Sequence, residues 1–110
     1  MNELNSCSRS SESEVMLIVS IQTLPGRGYE QVAAYEKLAP VVRAEAGCLQ
    51  YDLHAVVGAE DSFVLIERWA SADALAAHDA TPHMIAADAH SPSFRAAPAK
   101  VIRLSSESLA

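Results

Sequence analysis

Residues 15–23 form a predicted β-strand that is apolar on both of its faces. One face is aliphatic at every second position: Val15, Leu17, Val19 and Ile21. The other face carries Met16 and Ile18, and residues 62–69 repeat the same two-faced pattern. Helices can cover only one face of a four-stranded antiparallel sheet, so the second apolar face needs another partner. The sequence therefore predicts an α+β fold whose sheet packs against that of a second copy in a homodimer.

A long helix is predicted between the first two strands. Residues 29–46 carry apolar side chains at helical spacing: Val32, Tyr35, Ala39, Val42 and Ala46. Gly47 follows directly, and glycine is the residue type that most often ends a helix in the left-handed conformation. Pro40 lies inside this stretch and is expected to kink the helix rather than abolish it.

A hairpin comes next. Residues 48–57 and 62–69 are predicted strands, and the polar, glycine-containing residues 58–61 form the turn between them. Strict alternation places Leu49 and Tyr51 on one face of the second strand. The hairpin brings the second and third strands side by side.

Two short helices and a last strand complete the chain. Ser71 is predicted to cap a helix in which Leu75 and His78 share the inward face, and Thr81 is predicted to cap the next helix. Residues 100–105 form the fourth predicted strand. The order β-α-β-β-α-α-β predicts a ferredoxin-like fold with a four-stranded antiparallel sheet.

Length and charge limit the classes of function. The 110 residues are half hydrophobic and fit one domain, for which we expect a flexible leader at 1–14, the folded domain at 15–106 and a tail at 107–110. A net charge of −6 leaves no basic stripe for nucleic acid or for an anionic membrane surface, and no apolar run is long enough to span a bilayer. Cys7 and Cys48 are unlike a disulfide framework, although a bridge between them stays open, and a cytoplasmic location fits best.

Four short clusters follow one another in a characteristic order: Glu45-Ala46-Gly47-Cys48 with Tyr51, Glu67-Arg68-Trp69, His78, and Thr81-Pro82-His83-Met84. In this order and spacing the chain resembles the antibiotic biosynthesis monooxygenase family of small, cofactor-independent oxygenases. The resemblance covers residues 16–104 and implies a dimeric α+β barrel. It is greatest over residues 64–84, where it points to the quinol monooxygenase subgroup.

Glu67 and Trp69 are the first candidate site residues. Strand alternation places the Glu67 carboxylate on an apolar face, where it needs a partner or a raised pKa. It either acts as an acid, base or orienting group in a pocket, or serves as a structural acceptor for arginine or backbone N–H groups. Trp69 lies on the same side of the strand and either stacks on a flat aromatic substrate or packs in the core.

His78, His83 and Tyr51 complete the candidate set. His78 on the inward face of its helix is a candidate base for a phenolic or enolic proton, and the alternative is a structural histidine bonded to Glu67 or to a backbone carbonyl. His83 would line the mouth of the pocket or pack, and the Tyr51 phenol would donate to a substrate oxygen or reach the surface. No third ligand of suitable spacing joins the two histidines, so no metal site is expected.

The motifs that hold common cofactors do not occur in the sequence. It contains no dinucleotide fingerprint, phosphate loop, nucleophile elbow or zinc-type cysteine pair, so we expect no cofactor. An oxygenase without a cofactor needs a substrate that supplies the electrons. The resemblance implies a small electron-rich aromatic, such as a quinol or an anthrone, that is deprotonated and then reacts directly with dioxygen.

Two other functions stay open. An isomerase of a phosphorylated autoinducer-type sugar shares Glu67 and both histidines, but a phosphate would need a cation near the pocket, for which Arg68, Arg95, Lys100 and Arg103 are the candidates. A non-catalytic dimer that binds a small ligand is the alternative from a different class, because a fold does not fix a function.

Overall fold

The computed structural model describes residues 13–110, which form a four-stranded antiparallel sheet with three helices. The strands are β1 (Val15–Gln22), β2 (Cys48–Ala55), β3 (Ser62–Trp69) and β4 (Lys100–Ser105). The helices are α1 (Gly28–Arg43), α2 (Ala72–Asp79) and α3 (Pro82–His90), and a 3₁₀ turn at Ser91–Ser93 follows. This order confirms the predicted ferredoxin-like fold. The expected leader falls almost wholly on positions 1–12, outside the described residues.

The two strands with apolar side chains on both faces lie in the centre of the sheet, whose order is β2-β3-β1-β4. Leu17 is paired with Glu67, and Ile18 with Ile66. The face that contains Leu17 is buried against the helices, where Val42 of α1 and Leu75 of α2 close the core. The opposite face is only half covered in β1 and β3. The predicted alternation is therefore confirmed, and the second apolar face remains open in the single chain.

The first helix ends earlier than predicted. It stops at Arg43 rather than at Ala46, and the backbone N–H of Glu45 then bonds to the Val42 carbonyl in a tight turn. Gly47 does adopt the left-handed conformation, with φ of 83°, but it does so in the turn that follows the helix. Pro40 lies inside the helix without ending it. No helix within residues 13–110 is long and apolar enough to cross a membrane.

The second strand departs from the predicted alternation near its start. A β-bulge between Cys48 and Gln50 shifts the register against β3, so Leu49 is 48% exposed instead of facing the core. Tyr51, which was predicted to share a face with Leu49, lies after the bulge and is buried. The strand ends at Ala55 rather than at Val57, because residues 56–59 already form the hairpin turn.

A side chain from the hairpin caps the first helix. The residue that precedes α1, Arg27, makes no side-chain capping bond. Instead, the Asp61 carboxylate accepts hydrogen bonds from the backbone N–H groups of Gly26 and Gly28, at 2.8 and 2.9 Å. A negative charge at the start of a helix is favourable, because the first N–H groups have no partner in the helix. Asp61 thus ties the β2–β3 hairpin to the start of α1.

Asp61→Ala is expected to lower the free energy of unfolding by about 1–2 kcal/mol, because both N–H groups lose their acceptor. Urea unfolding of the variant and of the parent measures this difference. Glu60→Ala, a change at the exposed neighbouring residue, is the matched control and should have almost no effect. Equal stability of the two variants would show that the cap contributes nothing.

Candidate functional site

A cavity of about 750 Å³ lies between the buried face of the sheet and the helices. Its walls are largely aliphatic and include Leu17, Val19, Ile21, Leu38, Leu53 and Leu65. Polar side chains interrupt these walls, among them Gln31, Tyr51, Glu67, His78, His83 and Arg95, and the wall also includes Lys37 and the carboxylates of Glu30, Asp79 and Asp88. An apolar cavity with a few convergent polar groups is the usual form of a small-molecule site.

His78 is the most constrained of these polar groups. It is 2% exposed, and its Nδ1 lies 3.0 and 3.1 Å from the two carboxylate oxygens of Glu45. A carboxylate only accepts hydrogen bonds, so Nδ1 carries a proton, and in the neutral imidazole Nε2 has the lone pair. Nε2 makes no hydrogen bond to any described residue and faces the cavity. The geometry therefore presents an oriented base to a ligand.

His83 shares the same carboxylate. Its Nε2 lies 2.6 Å from the second carboxylate oxygen of Glu45, and the ring is partly exposed at the cavity wall. Pro82 and the Thr81 cap begin α3 as predicted, with the Thr81 hydroxyl accepting from the Met84 N–H. Glu45 thus links α2 and α3 through their histidines.

Glu67 lies beside His78 but does not bond to it. Its Oε1 accepts a hydrogen bond of 2.9 Å from the Trp69 indole and lies 3.9 Å from His78 Nε2. Oε2 has no hydrogen-bond partner among the described residues, although the side chain is nearly buried. Burial raises the pKa of this carboxyl, an effect that the Trp69 hydrogen bond and the nearby His78 partly oppose.

Trp69 does not line the cavity. It is completely buried, and its ring lies 4.4 Å from the His78 ring between the centroids. A role in stacking on a substrate, which the sequence left open, does not fit this position. Trp69 instead packs in the core and positions Glu67 and His78.

Tyr51 contributes a phenol to the cavity wall. The ring is buried, stacks on Tyr35 and meets the edge of His78. Its hydroxyl has no hydrogen-bond partner among the described residues, so it is open to the cavity. Burial, reinforced by the charge of Glu67, raises the pKa of Tyr51 well above its ordinary value. The phenol therefore stays protonated and can donate to a ligand oxygen.

The structure adds two residues that sequence reasoning did not place in the site. Glu45 was part of a recognised cluster but received no role, and Arg95 was named only as a possible phosphate partner. The sequence suggests Glu67 or a backbone carbonyl as a structural partner of His78, whereas the structure places the hydrogen bond to Glu45. Within residues 13–110, no group of three or more His, Cys, Asp or Glu side chains is arranged to hold a metal ion.

Glu67→Gln is expected to raise the free energy of unfolding at neutral pH. Because the folded-state pKa of Glu67 lies above the ordinary value of 4.5, the parent is most stable below that value and loses stability as the pH rises through the folded-state pKa. Glutamine has no charge to desolvate and can still accept from Trp69. Urea unfolding at about pH 4 and about pH 8 should show a difference in the free energy of unfolding between the two proteins that is larger at the higher pH. The same difference in the free energy of unfolding at both pH values would contradict the raised pKa of Glu67.

The fold and the cavity define an α+β protein in which an imidazole held by a carboxylate lines an apolar cavity. A family model described as antibiotic biosynthesis monooxygenase matches residues 14–90. The chain belongs to this family, and it is a monooxygenase of that family.

Individual relatives agree with this assignment. "Putative monooxygenase YcnE" of Bacillus subtilis (strain 168) is 33% identical over 89 residues, which cover 81% of this chain and 94% of the relative. "Probable quinol monooxygenase YgiN" of Escherichia coli (strain K12) is 40% identical over 78 residues, which cover 62% of this chain and 75% of that protein. The crystal structure of PA3566 from Pseudomonas aeruginosa superposes with a TM-score of 0.80 at 30% identity and covers 89% of this chain and 98% of PA3566.

Proposed function

We propose that the protein is a cofactor-independent monooxygenase of small electron-rich aromatics such as quinols and anthrones. The observation that carries this proposal is the free Nε2 of His78, which faces an apolar cavity while Glu45 holds the opposite nitrogen. The name of the YgiN relative supports a quinol as substrate. The cavity's apolar walls suit a flat aromatic skeleton.

The first step is removal of a proton by His78 Nε2. The proton comes from a phenol of a quinol or from the ring CH₂ of an anthrone, and the product is an electron-rich anion. The imidazolium that forms is stabilised by Glu45 at Nδ1 and by the Glu67 carboxylate 3.9 Å from Nε2. The Tyr51 hydroxyl, which lines the same cavity, would donate to the substrate oxygen that gains negative charge.

The second stage consumes dioxygen. For an anthrone, the carbanion gives one electron to dioxygen, the two radicals combine in a carbon–oxygen bond, and the resulting peroxide takes the proton back from His78. Loss of water then breaks the O–O bond and removes the second ring hydrogen, which leaves a quinone. One oxygen atom enters the product and the other becomes water, so the substrate supplies all four electrons that dioxygen gains.

Dioxygen uptake with 1,8-dihydroxyanthrone or 1,4-dihydroxynaphthalene tests the proposal. Protein treated with a chelator, desalted and given no flavin should accelerate uptake above the rate of autoxidation. With ¹⁸O₂, one labelled atom should appear in water and one in the product, which is the anthraquinone from the anthrone and 2-hydroxy-1,4-naphthoquinone from the quinol. Activity that requires added flavin or transition metal, or that reduces dioxygen to hydrogen peroxide without labelling the product, would exclude this mechanism.

We further propose that the open face of the sheet forms a homodimer. This face combines the half-covered Ile18 and Ile66 with the exposed Ile102 and Leu104 of β4. An apolar area of this kind on a four-stranded sheet is a typical protein interface. Pairing of two such faces would cover both.

Ile66→Arg is expected to convert the homodimer into a monomer, because the substitution places a charge in the centre of the apolar face. Light scattering at micromolar concentration should give twice the chain mass for the parent and the chain mass for the variant. Val57→Arg, at a hairpin residue that is 99% exposed, is the control and should stay dimeric. A monomeric parent protein would refute the dimer.

A further inference from the structure

Arg95 brings a positive charge to the cavity wall without a negative partner. Its Nε donates a 3.0 Å hydrogen bond to the Oε1 of Gln31, which is a neutral and buried side chain. No carboxylate oxygen of the described residues lies within 4.0 Å of the guanidinium. The two Nη groups have no hydrogen-bond acceptor among these residues, and they remain accessible in a side chain that lines the cavity.

This guanidinium is held in place by its backbone. Arg95 forms an isolated antiparallel bridge with Thr23, and its N–H bonds to the Ser91 carbonyl. With the backbone fixed and Nε occupied by Gln31, the two Nη groups present a fork that matches a carboxylate in geometry. Burial lowers the pKa of Arg95, so the charge is partly desolvated and would gain from an anionic partner.

Arg95 lies at the opposite end of the cavity from His78. Along β1, Leu17 is paired with Glu67, the neighbour of His78, whereas Thr23 is bridged to Arg95. Six residues of extended strand separate these two positions by roughly 20 Å of backbone. The side chains at both ends shorten this gap, and the Arg95 charge is near enough to Tyr51, whose ring meets the edge of His78, to lower the pKa of that phenol slightly against the effect of burial.

We propose that the substrate is a fused-ring aromatic with a carboxylate remote from the reacting carbon, and that Arg95 binds this carboxylate while His78 faces the reacting end. This inference rests on the proposed function for the aromatic part of the substrate. It assigns Arg95 as the residue that determines specificity and Gln31 as the residue that positions it.

The other cations near the cavity do not offer the same site. Lys37 also lines the cavity, but it is exposed to solvent and so is well hydrated. Asp88 is near enough to favour the charged form of Arg95, but it does not reach hydrogen-bond distance. The carboxylate of a ligand in the cavity would bond to the Arg95 fork directly, which Asp88 does not do.

Binding of a matched pair of stable product analogues tests the proposal independently of turnover. The pair is 1,8-dihydroxyanthraquinone and its 3-carboxylate, measured by equilibrium dialysis with the visible absorption of the ligand as readout. The parent protein should bind the carboxylate at least about tenfold more tightly than the neutral compound, as expected for a charge-assisted hydrogen bond. The absence of this preference, or the absence of binding by both compounds, would overturn the proposal.

Three variants locate the source of the preference. Arg95→Met should bind both compounds equally, and Gln31→Glu should do the same because it places a neutralising carboxylate beside an intact Arg95. Lys37→Met is the control and should keep the full preference. A preference that persists in Arg95→Met, or that disappears in Lys37→Met, would show that the carboxylate binds elsewhere.

Two further measurements distinguish a phosphate site from a carboxylate site, and a binding site from an active oxygenase. Displacement of the anthraquinone carboxylate by ribose 5-phosphate at comparable concentration would identify a phosphate site and overturn the aromatic acid as substrate. Dioxygen uptake with 1,8-dihydroxyanthrone and its 3-carboxylate tests the oxygenase reaction. A carboxylate preference in binding without any uptake would leave the Arg95 site standing and refute the proposed monooxygenase reaction.

Discussion

Replacing His78 with alanine is expected to lower kcat for quinol or anthrone oxidation by about a hundredfold or more, because the substrate loses the group that accepts its proton. KM should change little, since the aliphatic walls of the cavity that hold the aromatic skeleton remain. Steady-state dioxygen uptake over a range of substrate concentrations separates the two constants. Ala77→Ser, at an exposed residue of the same helix, is the control and should keep full activity.

Glu45→Gln refines the same experiment. The amide oxygen can still accept from His78 Nδ1, but it lacks the charge that stabilises an imidazolium, so kcat should fall less than in His78→Ala. Full turnover by His78→Ala at every pH would show that His78 is not the base. His83 or the acidity of the substrate itself would then have to take its place.

Gly47→Ala is expected to cause the largest loss of stability, about 2–5 kcal/mol, for two separate reasons. Gly47 has a φ of 83°, which disfavours any residue with a side chain, and an added Cβ would lie 2.5 Å from the Cβ of Ala74 in α2. A loss of this size should lower Tm by more than about 10 °C in a domain of this length. Gly47 follows Glu45 by two residues, so kcat should fall as well.

Matched variants separate strain from contact. Gly58 has a similar φ of 79°, but a Cβ added there would meet no atom within 4 Å. Gly58→Ala should therefore lower the free energy of unfolding by only about 1–2 kcal/mol. Ala74→Gly combined with Gly47→Ala removes the close Cβ and leaves Ala70 as the nearest neighbour at 3.7 Å. A double-mutant cycle should therefore show partial recovery. If the stability losses of Gly47→Ala and Ala74→Gly simply add in the double variant, the contact between the new Cβ and α2 does not contribute to the loss.

Local sequence signals predicted most of the fold. The bounds of β3 and β4 agree with prediction, because alternating apolar residues and adjacent turn residues mark both strands without ambiguity. The caps at Ser71 and Thr81 are also confirmed. In a cap of this kind the hydroxyl accepts a hydrogen bond from the backbone N–H three residues later, so the signal is local in sequence. The bulge that exposes Leu49 was missed, because it depends on pairing with β3 and leaves no mark in the composition of β2.

The site was less predictable, since it depends on contacts between distant parts of the chain. The inward position of His78 followed from its spacing to Leu75, but its partner Glu45 lies 33 residues earlier, in a turn whose shape the sequence did not specify. Arg95 enters the cavity through a bridge to Thr23 and a bond to Gln31, 64 residues away. Such partners are fixed by the three-dimensional arrangement, and periodicity carries no signal for them.

The position of the single tryptophan gives the protein an internal optical reporter. The indole of Trp69 donates to Glu67 and lies against the ring of His78, so its environment contains the group that gains a proton in the proposed reaction and the carboxylate beside it. Indole emission depends strongly on nearby charge, and no second tryptophan contributes a background. Proton movement at the cavity wall should therefore be visible as a change in intrinsic fluorescence, in real time and without a label.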